Sequence, residues 1–218
     1  MSTPQPGILA PVPAASRHLF FHVNAHHTAP AALRALAAIV DGEAAVVGIG
    51  AELAAGLDAS IPGLRPFAPI PDARVPIPYL PYALWCWLRA SDRGDRFHLG
   101  REIEAALAGV FTLELAIDCF RYRDCRDLSG YEDGTENPVD AAAIEAALVH
   151  GAGDGLDGGS FASVQQWLHD LDRFQALSPT EQDDTVGRAR LDNEELDDAP
   201  ASAHVKRTAQ EDFDPPAF

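Results

Sequence analysis

Apolar residues recur along this chain with two periods. Arg17 to Asn24 (RHLFFHVN) is short and aromatic and reads as a strand. Between Pro30 and Val40, residues Leu33, Leu36 and Val40 fall at helical spacing, with Thr28 as a cap and Pro30 in the first turn. Ala44 to Gly50 (AAVVGIG) is a small strand of the buried type. Residues 58–81 hold seven prolines and predict a long irregular connection. Ala83 to Ala90 (ALWCWLRA) reads as a third strand. Arg93 to Val110 is an amphipathic helix with Phe97, Ile103, Leu107 and Val110 as its apolar positions, and Phe111 to Tyr122 is a long strand with partial alternation.

The order is β-α-β-β-α-β, the split βαβ or ferredoxin-like arrangement of an α+β protein. Residues 1–16, with four prolines, read as an extended arm on that fold, and 17–125 as the ferredoxin-like half itself. Residues 126–158 form a loop and linker, in which Ala141 to Val149 is a short helix and five glycines lie between Gly151 and Gly159. Residues 159–218 begin a second half. Ser160 to His169 (SFASVQQWLH) reads as its first strand. Ser178 to Arg190 reads as a helix, with Ser178 capping, Pro179 at its first position and Glu181 three residues after the cap. A complete second half needs four strands and two helices, so the pattern predicts two ferredoxin-like halves of which the second is incomplete. A broken half leaves an unpaired sheet edge and apolar surface, which predicts a homo-oligomer.

Charge narrows the partners. The 218 residues carry 16 Lys and Arg against 33 Asp and Glu, a net charge of -17. Nucleic acid and anionic membrane surfaces need a basic face, so both are disfavoured. The three cysteines, Cys86, Cys119 and Cys125, have no metal-type spacing, and their odd number suits a reducing cytoplasm. No apolar run approaches a membrane span, and the N-terminal residues show no export signal.

The chemistry concentrates between Arg126 and Pro138 (RDLSGYEDGTENP). Asp127, Glu132, Asp133 and Glu136 crowd around Gly130, Gly134 and Pro138 on a backbone that must bend sharply. Such a loop suits acid–base work, and it also suits a solvated acidic turn or a cation site. It is not an EF-hand loop, whose Asp-x-Asp-x-Asp-Gly spacing it lacks. Among eight histidines (His18, His22, His26, His27, His98, His150, His169, His204) composition selects none. The adjacent His26 and His27 point apart on an extended backbone and make a poor metal pair. Trp85, Trp87, Trp167 and the four tyrosines read as packing residues that could also relay oxidising equivalents.

Gly130-Tyr131-Glu132-Asp133-Gly134-Thr135-Glu136-Asn137-Pro138 resembles the Gly-x-x-Asp-Gly signature of the dye-decolourising peroxidases, in its bacterial, cytoplasmic B-type form. Gly158-Gly159-Ser160-Phe161 through Trp167, and Ser202-Ala203-His204-Val205-Lys206-Arg207, agree with it. The resemblance implies two ferredoxin-like halves of the dimeric α+β barrel type around a haem b. It implies that His204 is the axial ligand to the iron and that Asp133 is the distal acid–base group. Gly130, Gly134, Thr135 and Asn137 would line the cofactor with them. Arg188 matches a Gly-Arg of the family and would pair with a haem propionate or with the acidic loop. The substrates implied are hydrogen peroxide and a small aromatic or dye-like electron donor. The family's distal Arg is expected beyond Phe218. Two other readings stay open: a haem-binding or haem-handling protein without turnover, and a dimeric α+β scaffold without a cofactor.

Overall fold

A computed structural model describes residues 3–66, 70 and 77–209. Parts of the proline-rich connection read over 58–81, and the last residues of the chain, lie outside the described residues. The chain divides into two compact units, residues 1–120 with 138–163 and residues 121–137 with 164–218.

The first unit is a four-stranded antiparallel sheet with helices. Its elements are β1 (Ala15–Val23), α1 (Ala29–Ala37), β2 (Ala45–Ile49), α2 (Ala51–Gly56), β3 (Leu84–Leu88), α3 (Arg93–Leu107) and β4 (Phe111–Phe120). The strands lie in the order β2-β3-β1-β4 with every pairing antiparallel. This is the mixed α+β architecture with an antiparallel sheet that the hydrophobic pattern predicts.

Alternation sets the two faces of the sheet. Leu19 and Phe21 of β1 point with Leu84, Cys86 and Leu88 of β3 into one core, where Leu36 of α1 and Ile103 and Leu107 of α3 meet them. Fully burying each such side chain contributes about 1.5–3 kcal/mol, so this cluster decides where the helices sit. Burial pushes the Cys86 thiol up to about 12, as expected for a small core residue. The helix α3 starts where Asp92 accepts from the backbone N–H groups of Gly94 and Asp95. Arg96, although charged, is buried because its guanidinium donates to the Ala90 and Ser91 carbonyls at 2.6 and 3.0 Å.

Two features of the sheet are invisible in the alternation. Phe21 pairs with Leu113 and Phe20 with Leu115, so Glu114 is an extra residue on β4. This bulge swaps the faces. Leu113 packs on the helix side, while Leu115 and Ile117 stand opposite Phe20 and His18 on the other face. At the far edge, the Gln5 side chain accepts from the Val47 N–H at 2.8 Å and donates to the Val47 carbonyl at 2.9 Å. The N-terminal arm thereby occupies the outer edge of β2. A short helix, α4 (Asp140–Ala147), completes the first unit.

The second unit contains α5 (Leu171–Gln175), α6 (Pro179–Val186) and α7 (His204–Thr208). The sequence signals for α6 hold. Ser178 Oγ accepts from the Glu181 N–H, Glu181 accepts from the Ser178 N–H, and Pro179 fills the first turn. The strand expected over Ser160–His169 is a correction: this stretch has no regular secondary structure. Its apolar residues are exposed, Trp167 at 71% and Leu168 at 92%. A strand needs a ladder partner, and among the described residues nothing pairs with this stretch.

Candidate active site

The motif loop is folded by its own backbone. An isolated bridge pairs Arg126 with Glu132. The Asp127 N–H donates to the Tyr131 carbonyl at 2.9 Å, and the Gly130 N–H donates to the Asp127 carbonyl at 2.8 Å. The Asp133 N–H donates to the Cys125 carbonyl at 3.2 Å. Gly130 has φ +94°, and a Cβ there would lie 2.4 Å from an Arg190 guanidinium nitrogen. Glycine at this position is therefore required by the turn, and a side chain there would also displace the Arg190 guanidinium.

Tyr131, which the sequence offered only as the aromatic of the motif, anchors the loop. It is 3% exposed. Its hydroxyl donates to Asp183 of α6, Phe174 of α5 meets its ring edge-on at 6.1 Å, and the Arg190 guanidinium lies 5.7 Å from its centroid. Burial, then the Asp183 carboxylate, push the phenol well above its ordinary value.

Beyond Tyr131 the loop turns outward. Asp133, Gly134, Thr135 and Asn137 are all exposed. The Asn193 amide donates to Thr135 Oγ1 at 2.8 Å. Arg188 reaches Glu136 at 2.5 Å and Glu195 at 3.6 Å, and donates to the Asn193 carbonyl at 3.0 Å. Arg188 thus contacts the acidic loop through Glu136. Glu195 in turn holds Lys206 of α7 at 2.7 Å, and that hydrogen bond and charge keep its carboxyl below the usual range. So a run of alternating charges, Glu136–Arg188–Glu195–Lys206, joins the motif loop to the helix that carries His204.

The helix α7 is seated by a second glycine. Gly187 caps the end of α6 at φ +92°, and a Cβ on it would lie 2.3 Å from Val205 Cγ2. Ala203 is fully buried beside it. His204 opens the helix and is exposed. Among the described residues, no side chain engages the His204 ring or the Asp133 carboxylate. An imidazole without an internal partner can offer a nitrogen to iron, and a carboxylate without one can exchange a proton. The donor set therefore fits a haem held by one histidine. Among the described residues no three His, Cys, Asp or Glu side chains converge as a cage for a bare ion.

One pair escaped the sequence reading. His169 Nε2 lies 2.9 Å from Asp127 Oδ2. Burial raises the Asp127 carboxyl, but hydrogen bonds from Ser129 and the nearby His169 outweigh it and hold it below its ordinary value. The residues are 42 positions apart in sequence and no spacing links them.

Comparison with known proteins defines the class. Residues 124–215 match the family model described as Dyp-type peroxidase, C-terminal. A dye-decolorizing peroxidase of Mycolicibacterium paratuberculosis is 38% identical over 144 residues, covering 65% of this chain and 41% of that protein. Among solved structures, DyPB from Rhodococcus jostii is 33% identical with a TM-score of 0.78, covering 94% of this chain and 72% of the other. A variant of that Rhodococcus protein has been solved in complex with haem. A dyp-type peroxidase protein from Shewanella oneidensis is 28% identical with a TM-score of 0.86. This chain belongs to the dye-decolourising peroxidase family. It spans 41% of the length of its Mycolicibacterium relative.

Proposed function

We propose that this chain acts as a haem peroxidase, reducing hydrogen peroxide and oxidising small aromatic or dye-like donors. The observation that supports this best is the charge run Glu136–Arg188–Glu195–Lys206, which tethers the Asp133 loop to the His204 helix while leaving both reactive side chains without partners among the described residues. His204 would hold the iron through a neutral imidazole nitrogen, and Gly130, Gly134, Thr135 and Asn137 would border the cofactor. When bound, a haem supplies the two-electron chemistry of peroxide cleavage and the one-electron oxidation of donors. Asp133 accepts the proton from one peroxide oxygen and delivers it to the other as the O–O bond breaks. A reducing cytoplasm is the compartment proposed, which an odd number of unbridged cysteines suits.

A second reading, haem binding without turnover, draws on the arginines in and against the loop. Arg126 is paired with Asp124 and Glu132, and Arg188 with Glu136 and Glu195. Neither is available to stabilise charge on a bound peroxide.

The test is haem titration followed by peroxide consumption, for the parent, His204→Ala and Asp133→Asn. His204→Ala is expected to lose haem binding by absorption spectroscopy. Asp133→Asn should keep the haem and lose roughly a hundred- to ten-thousand-fold in rate, the usual worth of a positioned acid–base group. Haem bound with no parent turnover selects the second reading. Unchanged binding in His204→Ala removes that residue as the ligand.

A further inference from the structure

The sheet face away from the helices carries a row of rings. His18 and Phe20 of β1 stand beside Trp85 and Trp87 of β3, with registers His18↔Trp87 and Phe20↔Trp85. The two indoles are stacked at 6.3 Å and 13°, and the His18 ring lies 5.7 Å from Trp85 and 6.0 Å from Trp87. Gly48 of β2 pairs with Trp85, and its bare Cα is what gives that indole room: a Cβ would lie 3.0 Å from the ring.

The two indoles differ in where their N–H groups go. Trp85 Nε1 donates to His18 Nδ1 at 2.9 Å. An indole nitrogen can only donate, so His18 accepts through Nδ1 and is neutral in this arrangement. Burial favours that neutral form. Trp87 Nε1 is buried with no acceptor among the described residues. The Arg89 guanidinium lies 4.6 Å from the Trp87 centroid, held there by the Pro11 carbonyl at 2.6 Å. Removing an electron from Trp87 would place a cation against another cation, with no base to take the proton. Removing one from Trp85 faces neither obstacle.

We propose that Trp85 and His18 form a proton-coupled oxidation site, at which the Trp85 indole gives one electron to a strong one-electron oxidant while its Nε1 proton passes to His18 Nδ1. The Nε1–H bond breaks and an Nδ1–H bond forms. The products are a neutral indolyl radical, an imidazolium and the oxidant reduced by one electron. A one-electron aromatic donor restores the pair, returning an electron to the indole as the proton moves back. Trp87 is the stacking neighbour that the hole avoids. Only the identity of the physiological oxidant, a peroxide-activated haem, rests on the peroxidase reading. The chemistry of the pair does not.

The experiment therefore uses a photochemical oxidant and needs no haem. The whole chain carries Trp167→Phe, because that exposed indole would react directly, and is oxidised by flash-generated ruthenium(III) tris-bipyridine. Protonated and deprotonated indolyl radicals have distinct transient absorption. The parent is expected to give the deprotonated radical, and Trp87→Phe to retain it. Trp85→Phe is expected to lose it. His18→Gln, which keeps a polar side chain but no base, is expected to give the protonated radical or none. The deprotonated radical persisting at equal yield in His18→Gln overturns the proposal, and so does its survival in Trp85→Phe. Should Trp85→Phe fail to fold, the His18→Gln arm decides alone, since it leaves both indoles in place.

Discussion

At the scale of single residues, Tyr131 shows how a motif position does structural work that spacing cannot announce. Its phenol is held above the ordinary value of about 10 by burial and by Asp183. The folded state thus keeps the proton at pH values where the unfolded chain loses it. The contribution is complete below about pH 10 and declines as pH rises beyond, at up to about 1.4 kcal/mol per pH unit. Urea unfolding of the parent and Tyr131→Phe at a series of alkaline pH values reads this out. The variant should be weaker at neutral pH by about 1.5–3 kcal/mol, the worth of a hydrogen bond to a carboxylate. It should also lose stability less steeply on the alkaline side. Parallel pH profiles for the two proteins would show that the phenol does not titrate differently on folding. The neighbouring Gly130 was legible for a different reason. A Gly-x-x-Asp-Gly loop announces a bent backbone, whereas the partner that closes over it, Arg190, lies 60 residues away and leaves no local mark.

At the scale of elements, Gly187 decides whether α6 can deliver α7. The residue combines φ +92° with a Val205 methyl where a Cβ would go. Gly187→Ala is expected to cost about 1–3 kcal/mol, the usual penalty for forcing a side chain into such backbone. Because the displaced neighbour adjoins His204, haem affinity should fall in step with stability. Chemical denaturation and haem titration of this one variant check both. An unaltered haem affinity in a destabilised protein would separate the cap from the site. The elements themselves were legible wherever they were long or capped. The sheet strands and α3 follow from periodicity, and α6 follows from Ser178, Pro179 and Glu181. What stayed hidden had one of two causes. The helix α2 buries Leu53 and Ala54 but is only six residues long, too short for a period to register. Ser160–His169 has the composition of a strand, but strand formation is settled by a partner and not by the segment. The Glu114 bulge has the same character. The alternation of Phe111, Leu113, Leu115 and Ile117 runs on through the bulge in sequence, yet the faces exchange halfway.

At the scale of the whole molecule, the sheet of the first unit has two unlike edges. The β2 edge is occupied by the Gln5 amide, which satisfies both backbone groups of Val47. The outer edge of β4 has no strand partner among the described residues. It is ten residues long and ends at Phe120, which is 67% exposed. Long unpaired edges with exposed apolar ends are templates for pairing with a second chain. Two β4 edges can pair only as the same patch on both copies, which makes a closed dimer the expected product. Charge works against this. The protein carries a net -17, and β4 itself bears Glu114 and Asp118, so two copies meet with like charges along the shared edge. Repulsion between exposed charges is screened over about 8 Å at physiological ionic strength and over less as salt rises. Association is therefore expected to strengthen with salt, the reverse of a contact held by ion pairs. Multi-angle light scattering at micromolar concentration, in low and high salt, measures it. The parent should shift from monomer toward dimer as salt increases. Phe120→Glu, which adds a charge at the exposed end without touching the core, should hold the monomer at both salts with an unchanged circular dichroism spectrum. A parent that stays monomeric at high salt would mean that the β4 edge is not a pairing surface, and equal dimerisation in Phe120→Glu would move the interface elsewhere.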